Sequence, residues 1–102
     1  ACVVGMPVKD TIKVSDANGF VADTPERSCL WMIQTPQVFE VALVKQAYAK
    51  LMQHRQINVT DDAMVVEQMR GAKVKLVEGS YENIKITTPE DLKIASALLR
   101  EF

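Results

Sequence analysis

Lys85 is the side chain whose surroundings most suggest phosphate chemistry. It lies between Ile84 and Ile86, directly before the helix start signal Thr88-Pro89. A cation at the carboxyl end of a strand and close to a helix N-terminus suits a bound phosphate group. On spacing alone, a solvated lysine on an edge strand is the simpler interpretation, and both interpretations stay open at this point.

Arg27 is a second candidate, just after a predicted hairpin. An arginine can contact a phosphate through two parallel N–H donors, a charge-assisted interaction of about 1.5–3 kcal/mol. A surface arginine paired with the neighbouring Glu26, or with nothing, is the simpler interpretation of composition alone.

Asp61 and Asp62 form a third candidate, because adjacent carboxylates can hold Mg²⁺. The same residues also make a good helix start, with Thr60 as the N-cap and two acids at the positive end of the helix dipole. Since the helix explanation accounts for every residue in the segment, it is preferred here.

Several other kinds of site lack their residues. His54 is the single histidine, which excludes a multi-histidine metal site, and Cys2 and Cys29 do not have a metal-ligand spacing. The four glycines are scattered singly, so there is no glycine-rich phosphate loop. Taken alone, the sequence shows no complete active site.

The composition is that of an ordinary soluble globular protein. The 102 residues allow one small domain, with 48% apolar and 25% charged residues and a formal net charge of -1. This charge gives no electrostatic reason to expect nucleic acid or a membrane surface as a partner. Two unpaired cysteines are typical of reduced thiols in the cytoplasm. The apolar run at residues 1–4 predicts a strand already under way, so we expect a piece of a longer protein.

Strand and helix patterns alternate along the chain and predict an α/β fold with a protruding β-hairpin. The predicted strands are residues 3–4 (closed by Gly5 and Pro7), 9–14, 20–24, 30–33, 73–77 and 83–86. A turn is predicted at residues 16–19. The predicted helices run from Phe39 to about residue 53, from Thr60 to about Gly71, and from Thr88 onward. The last helix is expected to bury Leu92, Ala95, Leu99 and Phe102.

Six groups of residues, in order and at matching spacings, resemble the 2-C-methyl-D-erythritol 4-phosphate cytidylyltransferase family. They are 7–13, 26–27 with 30–31, 34–39, 60–63, 77–80 and 83–92. The resemblance implies that residues 1–102 are the C-terminal fragment of a single domain with a Rossmann-like nucleotidyltransferase fold. It also implies an N-terminal half with a glycine-rich loop for CTP and an aspartate for Mg²⁺.

The resemblance also assigns roles to individual residues. Lys85 matches the family lysine that reaches the α-phosphate region of CTP. The residues that match the family's contacts to methylerythritol phosphate are Thr11, Arg27, Thr35 and Thr60, with Asp10 supporting the substrate near Thr11. The hairpin at about residues 8–28, called the arm below, resembles the family's dimerisation arm, which would place Arg27 in the partner's active site of a homodimer.

Two alternatives remain beside this interpretation. A ribitol 5-phosphate or other polyol-phosphate cytidylyltransferase would share Lys85, residues 34–37 and the arm, although residues 60–63 favour the methylerythritol branch. The second alternative is a non-catalytic dimerisation fragment, since the implied CTP loop is not part of this chain.

Overall fold

The computed structural model describes residues 1–53 and 58–100 and contains both strands and helices. The strands are β1 (Cys2–Pro7), β2 (Val14–Ser15), β3 (Val21–Asp23), β4 (Trp31–Val38) and β5 (Lys75–Glu78). The helices are α1 (Val41–Leu51), α2 (Asp62–Arg70) and α3 (Pro89–Leu99), and a 3₁₀ turn lies at Arg27–Cys29. The predicted α/β class is therefore confirmed.

One sheet has the strand order β4-β1-β5, and β2 pairs antiparallel with β3 in the arm. The predicted turn between β2 and β3 is confirmed. Asp16 Oδ1 accepts the N–H groups of Asn18 and Phe20, both at 2.9 Å, and Gly19 has φ +86°. The first strand of the arm is shorter than predicted, because residues 9–13 form no strand.

Contacts divide the chain into two compact units. Unit 1 comprises Ala1–Val4 and Gln34–Glu78, and unit 2 comprises Gly5–Ile33 and the chain from Gly79 onward. In unit 1, α1 packs against α2. Their core consists of the buried side chains Ala47, Val65, Val66 and Met69. Val65 and Val66 lie four and three residues before Met69 in α2, so helical geometry places all three on the face towards Ala47 of α1.

The ends of α2 are set by Asp61 and Gly71. Asp61 Oδ1 accepts the N–H of Met64 at 2.8 Å, and Gly71 ends the helix in the left-handed conformation with φ +59°. The predicted stop at Gly71 is confirmed, but the prediction of Thr60 as N-cap is wrong. The cap lies one position later, because the Asp61 carboxylate accepts the orphan N–H in place of the Thr60 hydroxyl.

In unit 2, Gly5 lies inside β1 and does not close the strand as predicted. A Cβ at this position would lie 2.9 Å from the Met32 carbonyl oxygen and 3.5 Å from the Trp31 ring. Glycine therefore permits a close approach of the β4 backbone, and β1 continues to Pro7.

The predicted strand at residues 83–86 is wrong, because this segment is irregular. It follows a turn in which Asn83 N–H donates to the Ser80 carbonyl at 3.1 Å. Of the two alternating isoleucines, Ile84 is half-buried, whereas Ile86 is 54% exposed. The alternation does not specify a neighbouring strand to complete the hydrogen bonds.

Helix α3 begins as predicted, with Thr88 as N-cap and Pro89 in its first turn. The prediction that Leu92 and Leu99 are buried is wrong for this chain, since they are 58% and 69% exposed. Helical spacing shows that a face is apolar, but it does not show which segment covers it. Phe102, which was also predicted to be buried, lies outside the described residues, as does His54.

Candidate functional site

Arg27 is held at the base of the arm by a hydrogen bond to the backbone of Lys9, in unit 2. Its Nη1 donates to the Lys9 carbonyl at 2.9 Å, and the Lys9 ammonium lies 4.2 Å from the centroid of the Tyr81 ring. The Tyr81 hydroxyl donates to the Pro7 carbonyl at 2.8 Å. Two cations therefore lie close to one short segment that leaves β1, and Tyr81 contacts that segment twice.

Asp10 and Thr11 follow Lys9 directly, and both side chains are exposed. They precede the arm's paired strands, whose two sides are joined where Lys13 Nζ donates to Thr24 Oγ1 at 2.9 Å. Because Arg27 contacts the Lys9 carbonyl, the structure brings Arg27 close to the segment that carries Asp10 and Thr11. Their role in substrate binding stays a prediction.

Lys85 is exposed and lies in the irregular segment before α3. The backbone after it is fixed by Asp91 Oδ2, which accepts the N–H groups of Thr87 and Thr88, each at 2.9 Å, and the Thr87 hydroxyl at 3.2 Å. The Thr87 hydroxyl also lies 3.5 Å from the Lys85 carbonyl. Lys85 thus precedes a well-fixed helix N-terminus, as predicted, although it is not on a strand.

The same hydrogen bonds determine the protonation of Asp91. The Thr87 backbone N–H, followed by the backbone and hydroxyl of Thr88, lowers the pKa of Asp91 to about 2. The carboxylate is therefore ionised at neutral pH and complements the positive end of the α3 dipole.

Thr35 and Thr60 belong to unit 1, and one side chain connects their segments. Gln37, two residues after Thr35, donates from Nε2 to Asp61 Oδ2 at 3.1 Å. Its Oε1 accepts the Ala63 N–H at 3.2 Å. The end of β4 is therefore hydrogen-bonded to the start of α2, next to Thr60.

Asp61 and Asp62 act in the structure of α2, as the preferred interpretation predicts. Asp61 caps the helix, and Asp62 Oδ1 accepts the hydroxyl of Tyr48 on α1. This hydrogen bond, followed by burial and the charges of both aspartates, raises the pKa of Tyr48. Across residues 1–53 and 58–100, no group of three His, Cys, Asp or Glu side chains could hold a metal ion.

Sequence reasoning did not single out Gln37 or Tyr81. Gln37 lies two residues after the candidate Thr35. Its closeness to a predicted substrate contact could have identified it. Tyr81 lies far along the chain from Lys9, and only the fold brings its ring to the ammonium group.

Unit 2 also contains an apolar pocket of about 310 Å³. Its lining residues are Glu82, Ile84, Ile86, Ala95, Leu98 and Leu99. None of the predicted site residues lines it, although Lys85 lies between two residues that do. The pocket has the size of a small-ligand site but little polar chemistry to orient a phosphate.

Among the described residues, no helix is both long enough and apolar enough to cross a bilayer.

Comparison with known proteins gives a match over almost the whole chain. The model of the 2-C-methyl-D-erythritol 4-phosphate cytidylyltransferase family matches residues 1–101. The cytidylyltransferase of Caldanaerobacter subterraneus is 57% identical over 101 residues, which is 99% of this chain and 44% of that protein. The Lachnospira eligens protein of the same name is 54% identical over 98% of this chain and 44% of its own length.

Solved structures agree with these sequence matches. The 4-diphosphocytidyl-2C-methyl-D-erythritol synthase of Anaerococcus prevotii superposes with a TM-score of 0.87 at 40% identity, covering 97% of this chain and 44% of that one. The Thermus thermophilus cytidylyltransferase gives a TM-score of 0.79 at 36% identity, covering 97% and 47%. This chain therefore spans less than half the length of the relatives it matches.

Proposed function

Because the chain belongs to the 2-C-methyl-D-erythritol 4-phosphate cytidylyltransferase family, we propose that the whole protein joins CTP to methylerythritol phosphate. The products are 4-diphosphocytidyl-2-C-methyl-D-erythritol and pyrophosphate, in isoprenoid-precursor synthesis. The observation that carries this proposal is the 57% identity to the Caldanaerobacter cytidylyltransferase over 101 residues. The family resemblance stated from the sequence is confirmed by the match to residues 1–101.

The proposed reaction is an in-line displacement. A phosphate oxygen of methylerythritol phosphate attacks the α-phosphorus of CTP, the bond to the bridging oxygen breaks, and pyrophosphate leaves with the electron pair. Such a reaction depends on positioning and charge neutralisation more than on a covalent protein group. Lys85 would contact the α-phosphate region of CTP, and Arg27 would contact the acceptor phosphate. The exposure of both cations leaves them accessible to a ligand.

The acceptor would be oriented by the hydroxyls of Thr11, Thr35 and Thr60, with Asp10 supporting it near Thr11. Hydroxyl groups both donate and accept hydrogen bonds, so they suit a polyol that carries a phosphate. The described residues form no metal-ion site of their own. As the family resemblance implies, Mg²⁺ is proposed to bind an aspartate in the N-terminal half of the whole protein.

The proposal includes a homodimer formed through the arm, in the cytoplasm. The arm exposes apolar side chains that a second subunit would cover, notably Phe20 at 72% and Val21 at 60% exposure. An isolated two-stranded ribbon is marginal in water, so packing against a partner would stabilise it. A chain of this length alone, without the implied CTP loop, is expected to dimerise or aggregate without turnover.

Pyrophosphate release tests the function directly. The full-length protein would be assayed with CTP and Mg²⁺, once with methylerythritol phosphate and once with ribitol 5-phosphate. We expect release with methylerythritol phosphate and little with ribitol phosphate. Pyrophosphate release with ribitol phosphate alone would support the polyol-phosphate alternative. No release with either acceptor would contradict the proposed activity.

A further inference from the structure

Gln37 uses both ends of its side-chain amide within unit 1. The amide nitrogen donates to Asp61 Oδ2, and the amide oxygen accepts from the N–H of Ala63. Asp61 then uses its other oxygen to accept from Met64 N–H at 2.8 Å. The three hydrogen bonds are connected through these two side chains. The Gln37 nitrogen can only donate, and the Gln37 oxygen and both Asp61 oxygens accept.

This chain of hydrogen bonds joins two segments far apart in sequence. Gln37 is two residues after Thr35, and Asp61 directly follows Thr60. Both ends of the connection are half-buried, so solvent competes less with it than with a surface contact. The hydrogen bonds therefore restrict the spacing between the backbone segments that carry the two threonines.

We propose that Gln37 is a positioning residue for the acceptor substrate, which holds the Thr35 and Thr60 segments at the spacing that the polyol phosphate requires. The inference rests on the proposed function, in which both threonines contact the acceptor. A small misplacement of the two threonine hydroxyls weakens their hydrogen bonds to the acceptor, so the acceptor's KM is the quantity expected to change. Gln37 would act through the two threonines and would not contact the reacting atoms.

Substitutions that exchange the amide and the carboxylate between positions 37 and 61 test this role. In Gln37→Glu, two carboxylates face each other at the distance of the lost hydrogen bond, and they repel. In Asp61→Asn, the Gln37 amide meets a second amide nitrogen or turns away from Ala63.

The double variant, which carries both substitutions, restores a complete set of partners. The new asparagine amide at position 61 can donate to the new carboxylate at position 37. That carboxylate can still accept from Ala63 N–H, and the asparagine oxygen can still accept from Met64 N–H.

The full-length protein and the three variants would be compared under identical conditions at pH 8. We expect each single variant to raise the KM for methylerythritol phosphate about tenfold. The KM for CTP should stay within about twofold, and the double variant should return to within about threefold of the wild type. Thermal unfolding midpoints would be measured on the same samples.

Three results would overturn the inference. The first is an unchanged acceptor KM in both single variants. The second is a double variant as impaired as the single variants while it stays folded. The third is an equal loss for CTP and acceptor that follows the unfolding midpoint, because this indicates a structural role alone. A wild-type protein without cytidylyltransferase activity would contradict the proposed function itself, and that outcome is visible before any variant is compared.

Discussion

Arg27 illustrates how one contact can prepare a side chain for a ligand. A guanidinium group has five N–H donors, and the hydrogen bond to the Lys9 carbonyl uses Nη1. The Lys9 ammonium is in turn attracted to the Tyr81 ring, which contributes about 0.5–1 kcal/mol at an exposed site. Both cationic side chains are thus fixed beside one short segment, and the guanidinium group has further N–H donors that an anionic ligand could accept.

Asp91 gives a prediction for the pH dependence of stability. Its pKa is lowered to about 2 in the folded chain, whereas an unfolded aspartate titrates at about 3.9. The folded state therefore favours the ionised form, so this stabilisation is complete above the unfolded pKa and is lost as the pH falls towards 2. We expect Asp91→Asn to be less stable than the wild type at pH 6, with the difference shrinking between pH 4 and pH 2.

Urea unfolding of the full-length protein at several pH values measures this difference. Glu90→Gln is the matched control, because it removes a neighbouring charge of the same helix turn without removing the hydrogen bonds to Thr87 and Thr88. A difference between wild type and Asp91→Asn that stays constant down to pH 2 would contradict the prediction.

Residue patterns predict local chemistry well where the partners are close in sequence. The capping of α3 follows from the Thr88-Pro89-Glu90-Asp91 order, because the cap and its partner are three residues apart. The contacts of Gln37 and Tyr81 could not be predicted in this way, since their partners are brought to them by the fold.

At the scale of elements, the three helices and the positions of β1, β3, β4 and β5 were predictable, whereas the extent of β2 was not. Each helix shows apolar residues at helical spacing, so its existence depends on its own sequence. A strand such as β2 depends on a partner strand for its hydrogen bonds, and the sequence of the strand alone does not identify that partner. This explains why residues 83–86 alternate like a strand yet form none, and why residues 9–13 lie outside β2.

Gly5 gives a prediction for the pairing of β1 with β4. Gly5→Ala places a Cβ about 2.9 Å from the Met32 carbonyl oxygen, closer than ordinary contact, so the strands must separate. We expect a loss of about 1–3 kcal/mol in the free energy of unfolding, as for other overpacked sites. Chemical denaturation of the full-length protein measures it.

Gly19→Asn is the control for this substitution. Gly19 has positive φ but no neighbouring atom within 4 Å of an added Cβ, and asparagine tolerates that conformation. Its cost is confined to the strain of a side chain at φ +86°, and it should be smaller than that of Gly5→Ala. An equally small effect of Gly5→Ala would show that β4 does not limit the space at Gly5.

At the scale of the whole molecule, the proposed function divides the site between this chain and the rest of the protein. The chain spans about 44% of the length of its relatives, and Leu92 and Leu99 of α3 are exposed within it. The apolar face of α3 was predicted correctly as a pattern. Its burial could not be predicted from this chain, because nothing among the described residues covers these two leucines.

The proposed dimer leads to a prediction about mixed subunits. Lys85→Ala and Arg27→Ala should each lower kcat of the full-length enzyme by about 10²–10³, the usual cost of losing one group that stabilises a transition state. If Arg27 completes the partner's site, a heterodimer of the two variants has one site with both cations. Mixing the variants under conditions of subunit exchange should then restore up to about a quarter of the wild-type activity.

Pyrophosphate release before and after mixing measures the recovery, with Lys93→Ala of α3 as an exposed-lysine control that should stay active. No recovery in a mixture shown to contain heterodimers would mean that Arg27 acts within its own subunit.

The hydrogen bonds between Gln37 and Asp61 also have a consequence for evolution. Gln37→Glu alone creates two facing carboxylates, and Asp61→Asn alone creates two facing amide nitrogens or turns the Gln37 amide away from Ala63, whereas the exchanged pair satisfies every group. Each of these single substitutions is therefore expected to be selected against, whereas the double substitution is expected to be tolerated. Across related organisms the two positions are expected to be inherited together, and a glutamate at one should accompany an asparagine at the other.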